Sequence, residues 1–406
     1  MFEINRKNFE VILSKVNSPI LGYLVLIAFA TSFLYPGSRI GGLPVSPFAI
    51  LGLLFAPWVT IAYGRARGHT TFIALGLLLA LITINSLVYE LEIRDAQYLL
   101  IPISSVGAVV MMKVAVDQFG INKVLNLGLL LCTVNVLVML GQASNFFDMN
   151  NAFASLLINN IEFVTSNDVE KDILLTTLPI RPPGFFPSGI FASTVIYIVC
   201  RASCIYKKVF WPMSLAFLAI MVSANRTLAI VFIFYELAVL LVSFGFIKFF
   251  KRIFIGFVVA AAILFGIFQT NSDLYVFQFL TLGSNFDDIR SSASIIERLK
   301  TFEIFVENLP RHGLFGGYSS SALINSGHVF DSELMLRILQ FGIVGVICLA
   351  YIILLPRSGK FQSSWFFLIF LTFVASLSTT VMTSIVYVGA IALYKEMLIR
   401  KVIHDK

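Results

Sequence analysis

A chain of 406 residues that is 58% hydrophobic and only 13% charged cannot clothe a soluble globule, whose surface needs about a quarter of its residues charged. The fold class expected is therefore all-α, a polytopic integral membrane protein forming one transmembrane domain over residues 1–406. The formal charge of +7 is divided among short clusters between apolar runs, so it reports membrane orientation and gives no reason to invoke nucleic acid.

Windows of roughly 17 to 23 mostly apolar residues, the length an α-helix needs to cross about 30 Å of hydrocarbon, recur along the whole chain. Met1 to Lys15 is polar, and no small-residue cleavage site lies behind the first apolar run, so no cleavable signal peptide is expected. About twelve spans follow, near 19–35, 44–63, 71–89, 97–112, 123–141, 188–206, 210–224, 226–247, 253–270, 334–355, 363–380 and 382–398. "SLSTT" makes the turn between the last two. All four cysteines (Cys132, Cys200, Cys204 and Cys348) fall inside these spans, which implies no disulfide framework; Cys200 and Cys204, one helical turn apart, read as packing residues.

With both termini cytoplasmic, 19 of the 29 basic residues fall on the inner side, among them Arg201 and Lys395, against five acidic ones. That leaves about +14 inside and −7 outside, as the positive-inside rule requires. The only long connections, 142–187 and 271–333, are then external, and chemistry is expected there. Of ten outward basic residues eight are arginine (Arg39, Arg94, Arg181, Arg226, Arg290, Arg298, Arg311 and Arg337), whereas lysine predominates inside. Either residue anchors to headgroups, but only arginine has the planar fork that grips phosphate oxygens in pairs.

The first external loop closes on "RPPGFFPSG", residues 181–189. Its prolines forbid regular helix, its glycines let the chain turn, and its aromatic pair suits the lipid-water boundary, so it reads either as a plain re-entry turn or as part of a site. "SANRT" (223–227) puts Arg226 at the start of the eighth span, where helix N-H groups favour an anion. Ten residues deeper lies Glu236, which reads first as one side of a structural hydrogen bond or ion pair.

In the second external loop Ser294 and Glu297 have capping-box spacing, and Ile295, Leu299, Phe302, Val306 and Leu309 form one apolar stripe. An amphipathic helix is expected near 294–309, ended by Pro310 and lying on the membrane surface or on the helix bundle. "RHGLFGGY" then makes a glycine-rich bend that should be mobile, which counts against His312 as a base. "HVFDSE" brings His328, Asp331 and Glu333 to the start of the tenth span. Titratable groups gathered in one external loop make His328 and Asp331 the candidate acid-base residues. No Asp-x-Asp motif or His/Cys ligand spacing occurs, so neither a metal nor another cofactor is expected.

Four stretches together resemble the Wzy-type O-antigen and capsule repeat-unit polymerases. They are "RPPGFFPSG", "SANRT", the Glu-Arg segment closing on Pro310-x-x-Gly313-x-x-Gly316, and Asp331-Ser332 before Gly342-x-x-Gly345. The resemblance covers roughly residues 180–345. It implies a fold related to the C-type glycosyltransferases that use lipid-linked sugars. It also implies a reaction at the external face of a bacterial inner membrane, in which a growing glycan passes from undecaprenyl diphosphate to the next lipid-linked repeat unit. Arg181, Arg226, Arg290, Arg298 and Arg311 would then bind diphosphate and glycan, His328 or Asp331 would serve as base, and a chain-length regulator would be a partner beside the membrane lipids. The related O-antigen ligases carry a His-Asn pair before the corresponding span, whereas His328 is followed by Val329 and Phe330. An O-antigen ligase, a lipid-linked oligosaccharide flippase or transporter, and a non-catalytic membrane scaffold remain alternatives.

Overall fold

The computed structural model describes residues 19–34, 38–40, 43–54, 69–89, 97–150, 153, 183–186, 188–223, 225, 228–236, 239, 293–319, 332–354, 363–377 and 384–404. The described chain is helical apart from one short antiparallel hairpin, β1 (Ser38–Ile40) with β2 (Leu43–Val45), in which Arg39 pairs with Pro44. The longer helices are α1 (Pro19–Leu34), α2 (His69–Val88), α3 (Gln97–Phe119), α4 (Ile121–Ala143), α5 (Gly189–Lys207), α6 (Trp211–Val222), α7 (Ala293–His312), α8 (Glu333–Leu354), α9 (Ser363–Ser376) and α10 (Ile385–His404). Shorter helical stretches occupy 47–54 and 228–236. Most of the expected spans coincide with these helices; the one at 253–270 lies outside the described residues.

Among the described residues four helices are long and apolar enough to cross a membrane: α4, α5, α8 and the Leu100–Phe119 part of α3. α1, α6 and parts of α2 and α9 are apolar but shorter. These helices expose large apolar side chains along one edge, such as Ile20, Leu24 and Ile27 on α1 or Ile73, Leu77, Ile84 and Leu87 on α2. Water would not tolerate so many of them, and hydrocarbon welcomes them, so the protein is membrane-embedded.

The chain forms two compact units, residues 1–128 with 289–406, and residues 129–288. In the first, α10 packs along α3, α2 along α8, and α1 along α3. Small residues let backbones approach: a Cβ on Gly107 would stand 2.1 Å from the carbonyl oxygen of Gly52. Lys395 is buried in α10 and donates from Nζ to the Ile353 carbonyl at 2.9 Å. It thereby satisfies an orphan carbonyl at the end of α8, where a cation is also favoured by the helix dipole. Asp117 on α3 pairs with Lys113 and with Arg400 of α10.

In the second unit α5 and α6 lie side by side. Arg201 is buried in α5 and paired with Glu236, which accepts a further bond from the Tyr197 hydroxyl at 2.7 Å. The guanidinium lies 5.3 Å from the Tyr235 ring centre. A charge inside a span has to be neutralised within the protein, and this pair does so. Glu236 thus has the structural partner its position suggested. All four cysteines are free thiols.

Candidate functional site

In the second unit "RPPGFFPSG" is a turn gripped by side chains. Gly184 has φ +65°, and its N-H donates to the Gln142 Oε1 at 2.8 Å while its carbonyl accepts from Gln142 Nε2 at 3.1 Å. Asn135, two turns earlier on the same face of α4, accepts from the Phe185 N-H at 3.1 Å. A Cβ at position 184 would lie 1.9 Å from that Asn135 oxygen, which is why glycine stands there. Phe186 is fully buried against Phe191, and Ser188 caps α5 by accepting from the Phe191 N-H at 3.2 Å.

"SANRT" is pinned in a similar way. Asn225 is buried, its Oδ1 accepts from the Leu228 N-H at 3.0 Å, and its Nδ2 reaches Ser193 Oγ at 3.0 Å. The residue that caps the following helix is therefore Asn225, and one N-H offered to an anion in the sequence reading is already taken by its side chain.

In the first unit the glycine motif that follows α7 and the one inside α8 meet. α8 is two helical pieces broken at Gly342, whose φ 72° and ψ 166° only glycine adopts readily. A break inside an apolar span leaves donors and acceptors that lipid cannot satisfy. The stretch 313–318 satisfies them: Ile343 N-H donates to Gly313 O at 2.8 Å and Val344 N-H to Leu314 O at 3.4 Å. On the other side of the break, Gly317 N-H donates to Gln340 O at 3.0 Å and Tyr318 N-H to Leu339 O at 3.1 Å. The approach is close enough that a Cβ on Gly316 would stand 2.3 Å from the Gln340 oxygen, and one on Gly342 2.3 Å from that of Leu314.

The bend "RHGLFGGY", expected to be mobile, is thus held by main-chain bonds on both sides. Asn85 of α2 adds a third anchor, donating to Phe315 O at 2.7 Å. α7 does not stop at Pro310 but runs on to His312, because the missing N-H costs only one bond close to the helix end. His312 is buried, with Nδ1 3.1 Å from Gly316 O and its ring 5.0 Å from Tyr89 and 5.6 Å from Tyr318. Burial holds its pKa below the ordinary histidine value; the Gly316 carbonyl works against that shift, and the Arg311 charge adds to it. Arg311 is exposed, its guanidinium 5.6 Å from the Tyr89 ring centre.

Of the residues singled out by sequence, this knot brings Arg311 together with His312. Arg181, Arg226, Arg290, His328 and Asp331 lie outside the described residues, and of Arg298 only the α7 backbone is described. Arg337, counted among the outward arginines, is buried against Glu333 (3.4 Å) and Gln340 (2.5 Å) and lies near the Phe341 ring, so it serves the fold of α8. Ser332 stands at the start of that helix, its carbonyl accepting from the Leu336 N-H at 3.2 Å. Sequence reading passed over Asn85, Tyr89, Asn135, Gln142 and Asn225. The signal was available for the amides, since a carboxamide inside an apolar span must find a partner. Among the described residues no group of three or more His, Cys, Asp or Glu converges as a metal site.

No known family profile matches the chain, and no curated protein and no solved structure matches it.

Proposed function

We propose that the protein is a glycosyltransferase of about twelve spans that polymerises lipid-linked repeat units at the external face of a bacterial inner membrane. The growing glycan leaves undecaprenyl diphosphate and joins a hydroxyl of the incoming unit. The observation that supports this most is the interlock itself. Two motifs on which the resemblance rests, Pro310-x-x-Gly313-x-x-Gly316 and Gly342-x-x-Gly345, bond to each other main chain to main chain, with Arg311 exposed beside them.

The chemistry needs little beyond charge and a base. As the bond between the sugar C1 and the phosphate oxygen breaks, negative charge grows on the diphosphate, and fixed guanidinium groups stabilise it. Arg181, Arg226, Arg290, Arg298 and Arg311 are assigned that role. His328 or Asp331 takes the proton from the acceptor hydroxyl as the new glycosidic bond forms. Deleting the gene tests the reading: the ladder of surface polysaccharide should collapse to a single repeat unit. An unchanged ladder would refute it, and glycan accumulating on its lipid at full length would point to ligation instead.

Translocation of a lipid-linked oligosaccharide is the second reading, and the broken helix α8 favours it, since transporters bind substrate at such breaks. Against it, the N-H groups of Ile343 and Val344 and the carbonyls of Leu339 and Gln340 are bonded to the 313–318 stretch.

A further inference from the structure

Helix α7 carries three distinct edges. Thr301, Ile304, Phe305 and His312 lie toward the protein, with Ile304 and Phe305 packed around Leu339 of α8. Lys300, Glu303, Glu307 and Arg311, at helical spacing, form an exposed charged edge. Between these two lie Leu299, Phe302 and Val306, which are 58%, 49% and 47% exposed. The bundle is therefore served by a different edge from the apolar stripe, and the stripe faces outward. A soluble face of this kind would be an aggregation hazard, whereas an acyl layer would bury it.

The occupant is identified by what the stripe adjoins. The turn that follows α7 exposes Leu314 and Phe315, each 57% exposed. Their carbonyls are bonded to Val344 of α8 and to Asn85 of α2, and those helices expose Ile343 and Ile347, and Ile84, Leu87 and Val88. The apolar surface thus runs from the edges of two membrane-embedded helices, through the turn, onto α7. A charged edge beside an apolar edge on one helix is the arrangement that seats a helix in the interface, with the apolar side about 5–10 Å below the headgroups.

We infer that α7 lies in the interfacial layer of one leaflet of the bilayer, with Leu299, Phe302, Val306, Leu314 and Phe315 among the acyl chains. Arg311, at the end of the charged edge, is then held at the level of lipid phosphates, and a lipid-linked diphosphate reaches it sideways through the leaflet. The seating of α7 does not depend on whether the protein transfers or translocates glycan.

The test places a tryptophan on each edge of the full-length protein, one at a time, as Phe302→Trp, Val306→Trp, Glu303→Trp and Glu307→Trp. Each is reconstituted in phosphatidylcholine vesicles with lipids brominated near the carbonyl end or near the methyl end of the chain. The emission of the three native tryptophans is subtracted. Residues 302 and 306 should give blue-shifted emission that shallow bromines quench several-fold more strongly than residues 303 and 307. All four positions are exposed, so folding is preserved, and equal elution of each variant with wild type on size exclusion checks it. Red-shifted, unquenched emission at 302 and 306 would mean that the stripe faces water. Blue-shifted but unquenched emission would mean that protein covers it, either a second copy or another part of this chain. Either result overturns the inference.

Discussion

The turn at Gly184 and the knot at Gly316 and Gly342 answer the same difficulty by different means. Both are irregular backbone beside apolar helices, where unpaired N-H and C=O groups are costly. At Gly184 the partners are side chains, Asn135 and Gln142 of α4. At Gly342 they are main-chain groups of 313–318, and the side chains of Asn85 and His312 reach the turn itself. A side chain can turn away from an intruding atom, but a helix backbone locked at both ends cannot. The second device should therefore be the stiffer and the less tolerant of change.

The largest effect follows from that contrast. Gly316→Ala or Gly342→Ala places a Cβ 2.3 Å from a carbonyl oxygen of the main chain, in conformations that alanine resists by a further roughly 1–2 kcal/mol. Little protein should be recovered, and what is recovered should melt far below wild type in detergent. Near-normal yield and melting for both would break the comparison.

Gly184→Ala comes next. Its Cβ meets the Asn135 carboxamide, which can rotate away at the loss of its bond to Phe185. Adding Asn135→Ala should recover part of that loss in a double-mutant cycle, whereas no single side-chain trimming should rescue Gly316→Ala.

Removing the clamps themselves sharpens the contrast further. Gln142→Ala deletes both bonds to Gly184 and leaves a buried N-H and C=O unpaired, at about 1–3 kcal/mol for an unsatisfied group. Asn85→Ala deletes one bond to a turn that keeps its four main-chain bonds to α8, and its thermal shift should be the smaller.

The smallest effect concerns pH. The folded pKa of His312 is lowered by burial, so folded and unfolded states bind protons equally, with none on this ring, well above the ordinary value of 6.5. As pH falls below that value the unfolded chain gains a proton that the folded one refuses, so stability drops until the folded pKa is passed. His312→Gln should flatten the fall in melting temperature over that acidic range, and an unchanged slope would mean that other groups set it.

Much of this was legible in the sequence, and the limits have physical causes. Hydropathy alone locates most helices, because an apolar run of span length has few other destinations. Glu236 could be read as paired because a carboxylate at that depth has no solvent to turn to. The stripe on α7 could be recognised but not oriented: periodicity says which residues share an edge, and only packing on Leu339 tells which edge meets protein. The knot was hidden for a different reason. Its bonds are main chain to main chain, and a glycine in a sequence announces room for the backbone without saying what will fill it. The partners of Arg201 and Lys395 were hidden because a basic residue near a span end has the same signature whether it snorkels to water or caps a helix.

The most direct test of the central claim is to give the purified protein, in liposomes, a synthetic lipid-linked repeat unit and resolve the products by size. A ladder of glycans, with one lipid diphosphate released for every bond formed, is the result predicted. Arg311→Lys should shorten that ladder while leaving the protein folded, since an ammonium lacks the paired donors of the guanidinium. Units that cross the bilayer without growing, or that persist unchanged while wild-type protein remains folded, would contradict the account.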